Sequence, residues 1–206
     1  MSTQPEQQTP DVSVAILTRN AGATLERLLR AVAAQRTKLR VEIVAVDSGS
    51  DDEAPKLLKV AGARIVTIAP ESFNFGLTRD LAFETARGAI VVSLSQDAIP
   101  AHTRWLENLL YPLENPLVAA SCGRSIPDPK RPYPQFPWER NGYFYFTREM
   151  KKFRMRYGRG LSNANSAIRR SVWERIRFGE QSIGEDYLFQ TKLHAQGLRI
   201  AFPKGA

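Results

Sequence analysis

The 206-residue chain has one cysteine, Cys122, and two histidines, His102 and His194. One cysteine excludes an internal disulfide and a cysteine-rich zinc module. Two histidines with no His-x-His or paired His/Cys spacing argue against zinc in general. Long apolar runs are missing too: none exceeds four residues, which excludes a membrane-spanning helix in the sequence. Residues 1–11, MSTQPEQQTPD, hold no basic or apolar stretch. They read as a disordered tail rather than a secretory leader, and a cytoplasmic location is the simplest expectation. Nucleotide-binding signatures are also absent. No Gly-x-Gly-x-x-Gly follows the first strand, and no Gly-x-x-x-x-Gly-Lys-Ser/Thr occurs, which disfavours dinucleotide and P-loop folds. The lack of a Gly-x-Ser-x-Gly elbow disfavours an α/β-hydrolase.

What is present is an ordinary globular balance, 43% hydrophobic and 24% charged, enough for a real core. The net charge of +8 is concentrated. Residues 130–160 carry nine Lys/Arg against Glu139 and Glu149, a local +7 that leaves +1 for the rest. Residues 124–160 also hold five prolines and aromatics such as Tyr133, Phe136, Trp138 and Tyr143–Phe146.

Outside that stretch the chain alternates. Short apolar runs at Val12–Leu17, Val41–Val46, Arg64–Ile68, Ile90–Leu94 and Val118–Ser121 read as buried strands. Helices fall between them. One carries Leu25, Leu28, Leu29 and Val32 up to about Gln35, one opens at the capping box Ser50-Asp51-Asp52-Glu53, one runs from Leu77 to Arg87 and ends at Gly88, and one runs from Thr103 to Tyr111. A second capping box stands at Ser171–Glu174, Gly184-Glu185-Asp186 opens a helix to about Gln196, and Leu198–Phe202 reads as a last strand. This rhythm predicts an α/β fold, Rossmann-like, with a mostly parallel sheet and helices on both faces. It reads as a single domain over 12–206, with a basic aromatic insertion (124–160) between a first part (12–123) and a last part (161–206).

Ligands of such sheets bind beyond the strand C-termini. That directs attention to Thr18, Arg19 and Asn20, to Asp47 and Ser48, and to Ser95, Gln96 and Asp97. Asp47 suits hydrogen bonds from a nucleoside, or equally caps its own Asp-Ser-Gly turn. Asp97 can hold Mg²⁺ or Mn²⁺ against a diphosphate, or cap the turn before Pro100. Glu185 and Asp186 satisfy the positive end of a helix, or supply a general base.

Val12–Asn20, Val-Asp-Ser-Gly-Ser-Asp-Asp at 46–52, Gly-Leu-Thr-Arg-Asp at 76–80, Ser-Gln-Asp-Ala at 95–98 and Gly-Glu-Asp at 184–186 stand in the order and spacing of family 2 glycosyltransferases. The chain resembles that family from about 12 to 205. Phe73–Arg79 and Gln96–Pro100 look most like its rhamnosyltransferase-like branch. The resemblance implies a GT-A fold and an inverting, metal-dependent transfer of a sugar, rhamnose on branch resemblance, from a nucleotide-diphosphate donor to a glycan or lipid-linked acceptor in cell-surface glycan synthesis. It implies a nucleotide site of Thr18, Arg19, Asn20, Asp47, Ser48, Arg79 and Gln96. Asp97 is then the surviving acid of the Asp-x-Asp metal motif, with Ser95 replacing the first acid. Asp186, beside Glu185, is the base, and Asn163 and Asn165 lie near donor sugar or acceptor. Asp80 stands in place of a common Asn, and Arg177-Phe178-Gly179 where Gly-Gly-Phe is frequent. The basic insertion suits an anionic membrane surface at the inner face of the membrane, or forms a solvated lid. Two other classes compete: an inactive glycosyltransferase-like scaffold and a basic nucleic-acid binder. The latter explains 130–160 but not the acids at the sheet edge, so no nucleic-acid partner is expected.

Overall fold

The computed structural model describes residues 9–124 and 160–206, so the expectations for the tail at 1–8 and for most of the basic insertion, 125–159, lie outside the described residues. Seven strands form one sheet in the order β3-β2-β1-β4-β6-β5-β7. They are β1 (Val12–Thr18), β2 (Val41–Asp47), β3 (Arg64–Thr67), β4 (Ile90–Ser95), β5 (Val118–Cys122), β6 (Asn165–Arg169) and β7 (Arg199–Ala201). Parallel pairing joins β1 to β2 and β4, β2 to β3, and β5 to β7. β6 is antiparallel to both of its neighbours, β4 and β5. The sheet is therefore mostly parallel, as the strand–helix rhythm predicts, with one reversed strand that the rhythm does not reveal.

That reversal positions the site. β6 begins at the edge where β1, β2 and β4 end: Asn165 pairs with Leu94, and the Ser95 N–H donates to Ala164 O at 3.2 Å. Residues just before β6 thus share an edge with residues just after β1, β2 and β4.

Alternation along the strands builds two cores. Val14 and Ile16 of β1, with Val92 and Leu94 of β4, pack under α1 (Gly22–Ala33), α2 (Ala54–Val60) and α4 (Trp105–Leu110). Ala15 and Val91 face α3 (Phe75–Thr85), α5 (Arg170–Ile176) and α6 (Glu185–Ala195) on the other side. Both cores are made of fully buried aliphatic and aromatic side chains, among them Leu25, Leu28, Leu58, Phe83, Trp173 and Phe189. Burial of this kind contributes about 25 cal/mol per Å² of apolar surface and dominates the folding energy.

Several local expectations are corrected. The box at Ser50–Glu53 does not cap α2. Ser50 turns back to Asp47, and the Ala54 N–H is taken by Asp52 Oδ1 at 2.9 Å. Nor does Ser171–Glu174 form a box, because α5 has already begun at Arg170, which pairs with Glu174 at 3.2 Å. α3 starts two residues early, at Phe75, where Asn74 Oδ1 accepts the N–H groups of Gly76 and Leu77, both at 3.1 Å. α3 ends at Thr85, so Gly88 is no helix stop. It lies against β1, where an added Cβ would come within 2.6 Å of Ser13 N.

Candidate active site

Three strand ends form the first part of the site. Thr18 ends β1 and Asp47 ends β2 in direct register, and the Ser48 N–H donates to Thr18 O at 2.9 Å. Asp47 is buried, 3% exposed. Ser50 donates to both of its oxygens, through its N–H to Oδ2 at 3.0 Å and through its hydroxyl to Oδ1. Asp47 therefore caps its own turn, the bland alternative. A carboxylate has about four acceptor positions, so capacity remains for a ligand. Thr18 Oγ1 and Ser48 Oγ are buried and have no hydrogen-bond partner among the described residues. Unpaired buried hydroxyls are costly, and two of them flank Asp47 at this edge.

Arg19 and Gln96 tie β1 to β4. The Arg19 N–H donates to Gln96 Oε1 at 2.8 Å, and Gln96 Nε2 returns a bond to Arg19 O at 3.4 Å. Asn20 adopts a left-handed φ of 48°, which Asn tolerates better than most residues. Its N–H donates to Ser50 Oγ at 2.9 Å, and its Oδ1 accepts the Asp51 N–H at 3.0 Å. These three residues join the loops around the edge to one another, while the Arg19 side chain is exposed.

Asp97 follows β4 and is exposed. Among the described residues no three His, Cys, Asp or Glu side chains gather as metal ligands. The donor set thus fits a hard cation that takes most of its shell from diphosphate and water, and does not fit a cation caged by protein alone.

Asp186 lies in the first turn of α6, half-buried, and its Oδ1 accepts the Tyr187 N–H at 2.8 Å. The Asn163 backbone N–H, just before β6, lies near it and favours its charged form. Burial pushes its carboxyl up from the ordinary value, and the neighbouring Glu185 charge adds to that. A carboxylate with raised proton affinity at a ligand-binding edge has the character of a general base.

Three candidates sit differently from expectation. Arg79 is 6% exposed, and its guanidinium is held by Glu185 and Ser93, which leaves it facing the interior rather than a base or ribose. Glu185 is equally buried, and its Oε1 is engaged by Arg79 and Asn163. Asn165 is removed from the group altogether. As the first residue of β6 it turns to the α4 face, where its Oδ1 accepts Trp105 Nε1–H at 3.0 Å. Asn163 stays with Glu185, through Nδ2 to Oε1 at 3.1 Å.

Two contributors escape sequence reading. Ser93 interrupts the apolar run of β4 and is fully buried, which is the signal that could have found it. Asp80 Oδ1 accepts Trp173 Nε1–H at 2.6 Å and the Phe178 N–H at 3.0 Å, while Oδ2 accepts the Gly179 N–H at 2.9 Å. It fastens the turn that leads into α6. In that turn Arg177 holds a φ of 52°, a conformation suited to glycine, with its guanidinium 4.1 Å from the Trp173 ring centroid.

The chain is similar to known proteins in sequence and in fold. The model of glycosyl transferase family 2 matches residues 13–177. The chain is 32% identical over 201 residues to the O-antigen chain rhamnosyltransferase RfbN of Salmonella typhimurium, covering 93% of this chain and 63% of that protein. It is 29% identical over 202 residues to the O-antigen chain rhamnosyltransferase WbaN of Salmonella anatum, covering 94% and 64%. The chain thus spans less than two thirds of these relatives. Among solved structures, glucosyl-3-phosphoglycerate synthase from Mycobacterium tuberculosis in complex with UDP superposes with a TM-score of 0.69 at 20% identity, covering 94% of this chain and 69% of the other. The mannosyltransferase PcManGT from Pyrobaculum calidifontis in complex with GDP-Man and Mn²⁺ gives 0.67 at 23%, covering 96% and 55%. At these identities the likeness establishes the shared fold.

Proposed function

Because the chain belongs to glycosyl transferase family 2, we propose that it transfers a sugar, rhamnose being the first to test, from a nucleotide-diphosphate donor to an acceptor hydroxyl, with inversion. The observation that carries this reading is the placement of Asp186. The reversed β6 and the adjoining α6 bring a carboxyl of raised proton affinity to the edge where Asp47 and Asp97 stand.

In this reading each residue at the edge has its own task. Asp47, with the unpaired hydroxyls of Thr18 and Ser48, receives the nucleoside. Asp97 would hold Mg²⁺ or Mn²⁺; when bound, such a cation neutralises charge on a diphosphate. Asp186 takes the proton of the acceptor hydroxyl. The acceptor oxygen then bonds to the anomeric carbon as the carbon–oxygen bond to the diphosphate breaks, and that electron pair leaves with the diphosphate. One displacement from the face opposite the leaving group inverts the centre.

The acceptor in this reading is a glycan or lipid-linked sugar of cell-surface synthesis. The +7 segment at 130–160 draws the enzyme to an anionic membrane from the cytoplasmic side, at about 1 kcal/mol per basic residue near the surface. No helix among the described residues is long and apolar enough to cross a membrane. A catalytically silent nucleotide-binding scaffold is the second reading, favoured by Ser95 and the single metal-facing carboxylate.

Thermal shifts with UDP-glucose, GDP-mannose and dTDP-rhamnose, each with Mg²⁺ or Mn²⁺, test donor binding, since a ligand of the native state raises Tm. Donor-dependent release of the nucleoside diphosphate then tests transfer. Binding without turnover selects the scaffold, and no shift with any donor overturns both readings.

A further inference from the structure

Glu185 and Asp186 are neighbours on one helix, yet their environments are opposite. Glu185 points inward, 6% exposed, while Asp186 is half-buried at the edge. Arg79 of α3 meets Glu185 Oε1 through Nη2 at 3.2 Å and Nε at 3.3 Å. Its Nη1 donates to Ser93 Oγ of β4 at 2.5 Å. Ser93 Oγ donates onward to Asn163 O at 2.7 Å, and Asn163 Nδ2 closes the circuit on Glu185 Oε1 at 3.1 Å. Four side chains from α3, β4, the approach to β6 and the start of α6 thus form one closed ring of hydrogen bonds.

Successive residues on an α-helix point about 100° apart. Fixing Glu185 against Arg79 and Asn163 therefore fixes the direction of Asp186. At that end of the helix the N-cap, Gly184, has no side chain to contribute, whereas Gln190, held by the Leu161 N–H, acts a turn further on. Asn163 bears on both positions: its side chain holds Glu185, and its backbone N–H lies near Asp186.

Resting on the reading of Asp186 as the base, we infer that Arg79 and Glu185 form a buried ion pair whose task is to position Asp186 toward the acceptor hydroxyl, without either residue touching donor or acceptor. A pair inside a protein is weak evidence for stability, because desolvation offsets the attraction; replacing both charges by uncharged groups of like volume is often tolerated. The pair nevertheless links distant parts of the chain, with Arg79 and Glu185 106 residues apart. Burial presses the Arg79 guanidinium down from its ordinary value, and the Glu185 charge opposes that shift.

The test is the double variant Arg79→Met with Glu185→Gln, in which Gln keeps an acceptor for Asn163. The readouts are Tm, the thermal shift with dTDP-rhamnose and Mg²⁺, and kcat and KM for the donor. The expected result is a Tm within a few degrees of wild type, an unchanged donor-induced shift and KM, and a kcat lower by about 10²-fold, the loss that a misplacement of about 1 Å produces. A kcat within threefold of wild type in the folded double variant overturns the proposal, as does a rise in KM that accounts for the whole loss. If the double variant does not fold, Glu185→Asp replaces it. It keeps the charge but withdraws the carboxylate by one methylene, and a kcat equal to wild type there also overturns the proposal. Asp186→Asn, measured alongside, separates the two levels. Full activity in that variant removes the base assignment itself, whereas loss in Asp186→Asn with none in the pair variants removes only the positioning role.

Discussion

Replacing Asp80 by Asn should destabilise the chain although the side chain keeps its size. Asp80 is 8% exposed and receives three donors: the Trp173 indole N–H at 2.6 Å, the Phe178 N–H at 3.0 Å and the Gly179 N–H at 2.9 Å. An amide can keep its oxygen toward Trp173 and Phe178. Its NH₂ then faces the Gly179 N–H, donor against donor. The easier burial of a neutral amide works in the opposite direction, but three converging donors favour the charged acceptor. Losing one charge-assisted bond and leaving a buried N–H unpaired costs about 2–4 kcal/mol. In a chain of this size that lowers Tm by roughly 4–16 °C. Circular-dichroism melts of wild type, Asp80→Asn, Trp173→Phe and the double variant measure it. The cycle should show coupling, because Trp173 and Asp80 share one hydrogen bond. A Tm for Asp80→Asn within 1 °C of wild type would refute the claim that this carboxylate fastens the turn before α6.

Gly88→Ala should cost about 1–3 kcal/mol or more, because the new Cβ meets the β1 backbone, which cannot give way as a flexible side chain does; urea melts check it. Asp186→Asn should lower kcat by about 10²–10⁴ while donor binding survives. The same variant should raise Tm at pH 7. The native state raises the Asp186 pKa, so it penalises the carboxylate that an unfolded chain carries freely. The stabilisation should shrink as pH falls through the raised native value towards the ordinary carboxylate range and vanish below it, where both states are protonated; an equal gain at pH 3 and pH 7 contradicts the burial account. In wild type, the acid limb of kcat/KM should lie above the ordinary carboxylate range. Asp97→Ala should weaken the Mg²⁺- or Mn²⁺-dependent part of donor affinity at least about tenfold, and calorimetry showing equal affinity with and without metal removes Asp97 from that role.

The parallel half of the fold was legible because β1, β2 and β4 are mostly apolar and bury side chains on both faces, despite Ser13, Glu42 and Ser93. β6 was not. Asn-Ser-Ala-Ile-Arg has only two apolar residues and follows a stretch without periodicity, so nothing local marks it as a central strand. Register with β4 and β5 makes it one. α6 hides its inner face in a similar way: two of its four buried residues, Glu185 and Gln190, are polar, and each is satisfied by a partner elsewhere, Gln190 by the Leu161 N–H at 2.6 Å. The strand-end residues Thr18, Asp47 and Asp97 could be placed at one edge from topology alone. The interior roles of Arg79, Glu185 and Asn165 could not, because the partners that turn them inward, such as Ser93 and Trp105, are distant in sequence.

The direction of β6 has a consequence for how the molecule can vary. β5 runs the same way as β4, so the chain departs the sheet at Cys122 and re-enters it at Asn165 through a single doorway, with the Gly123 N–H bonded to Asn165 O at 2.9 Å across the threshold. The register of β4, β6 and β5 is set by strand pairing at this doorway and not by the length of chain between Arg124 and Gly160. The opening stands beside Asn163, close to the start of α6 and Asp186. On the proposed function, exchange of residues 125–159 for a relative's counterpart is expected to change acceptor use and leave the sheet as it is.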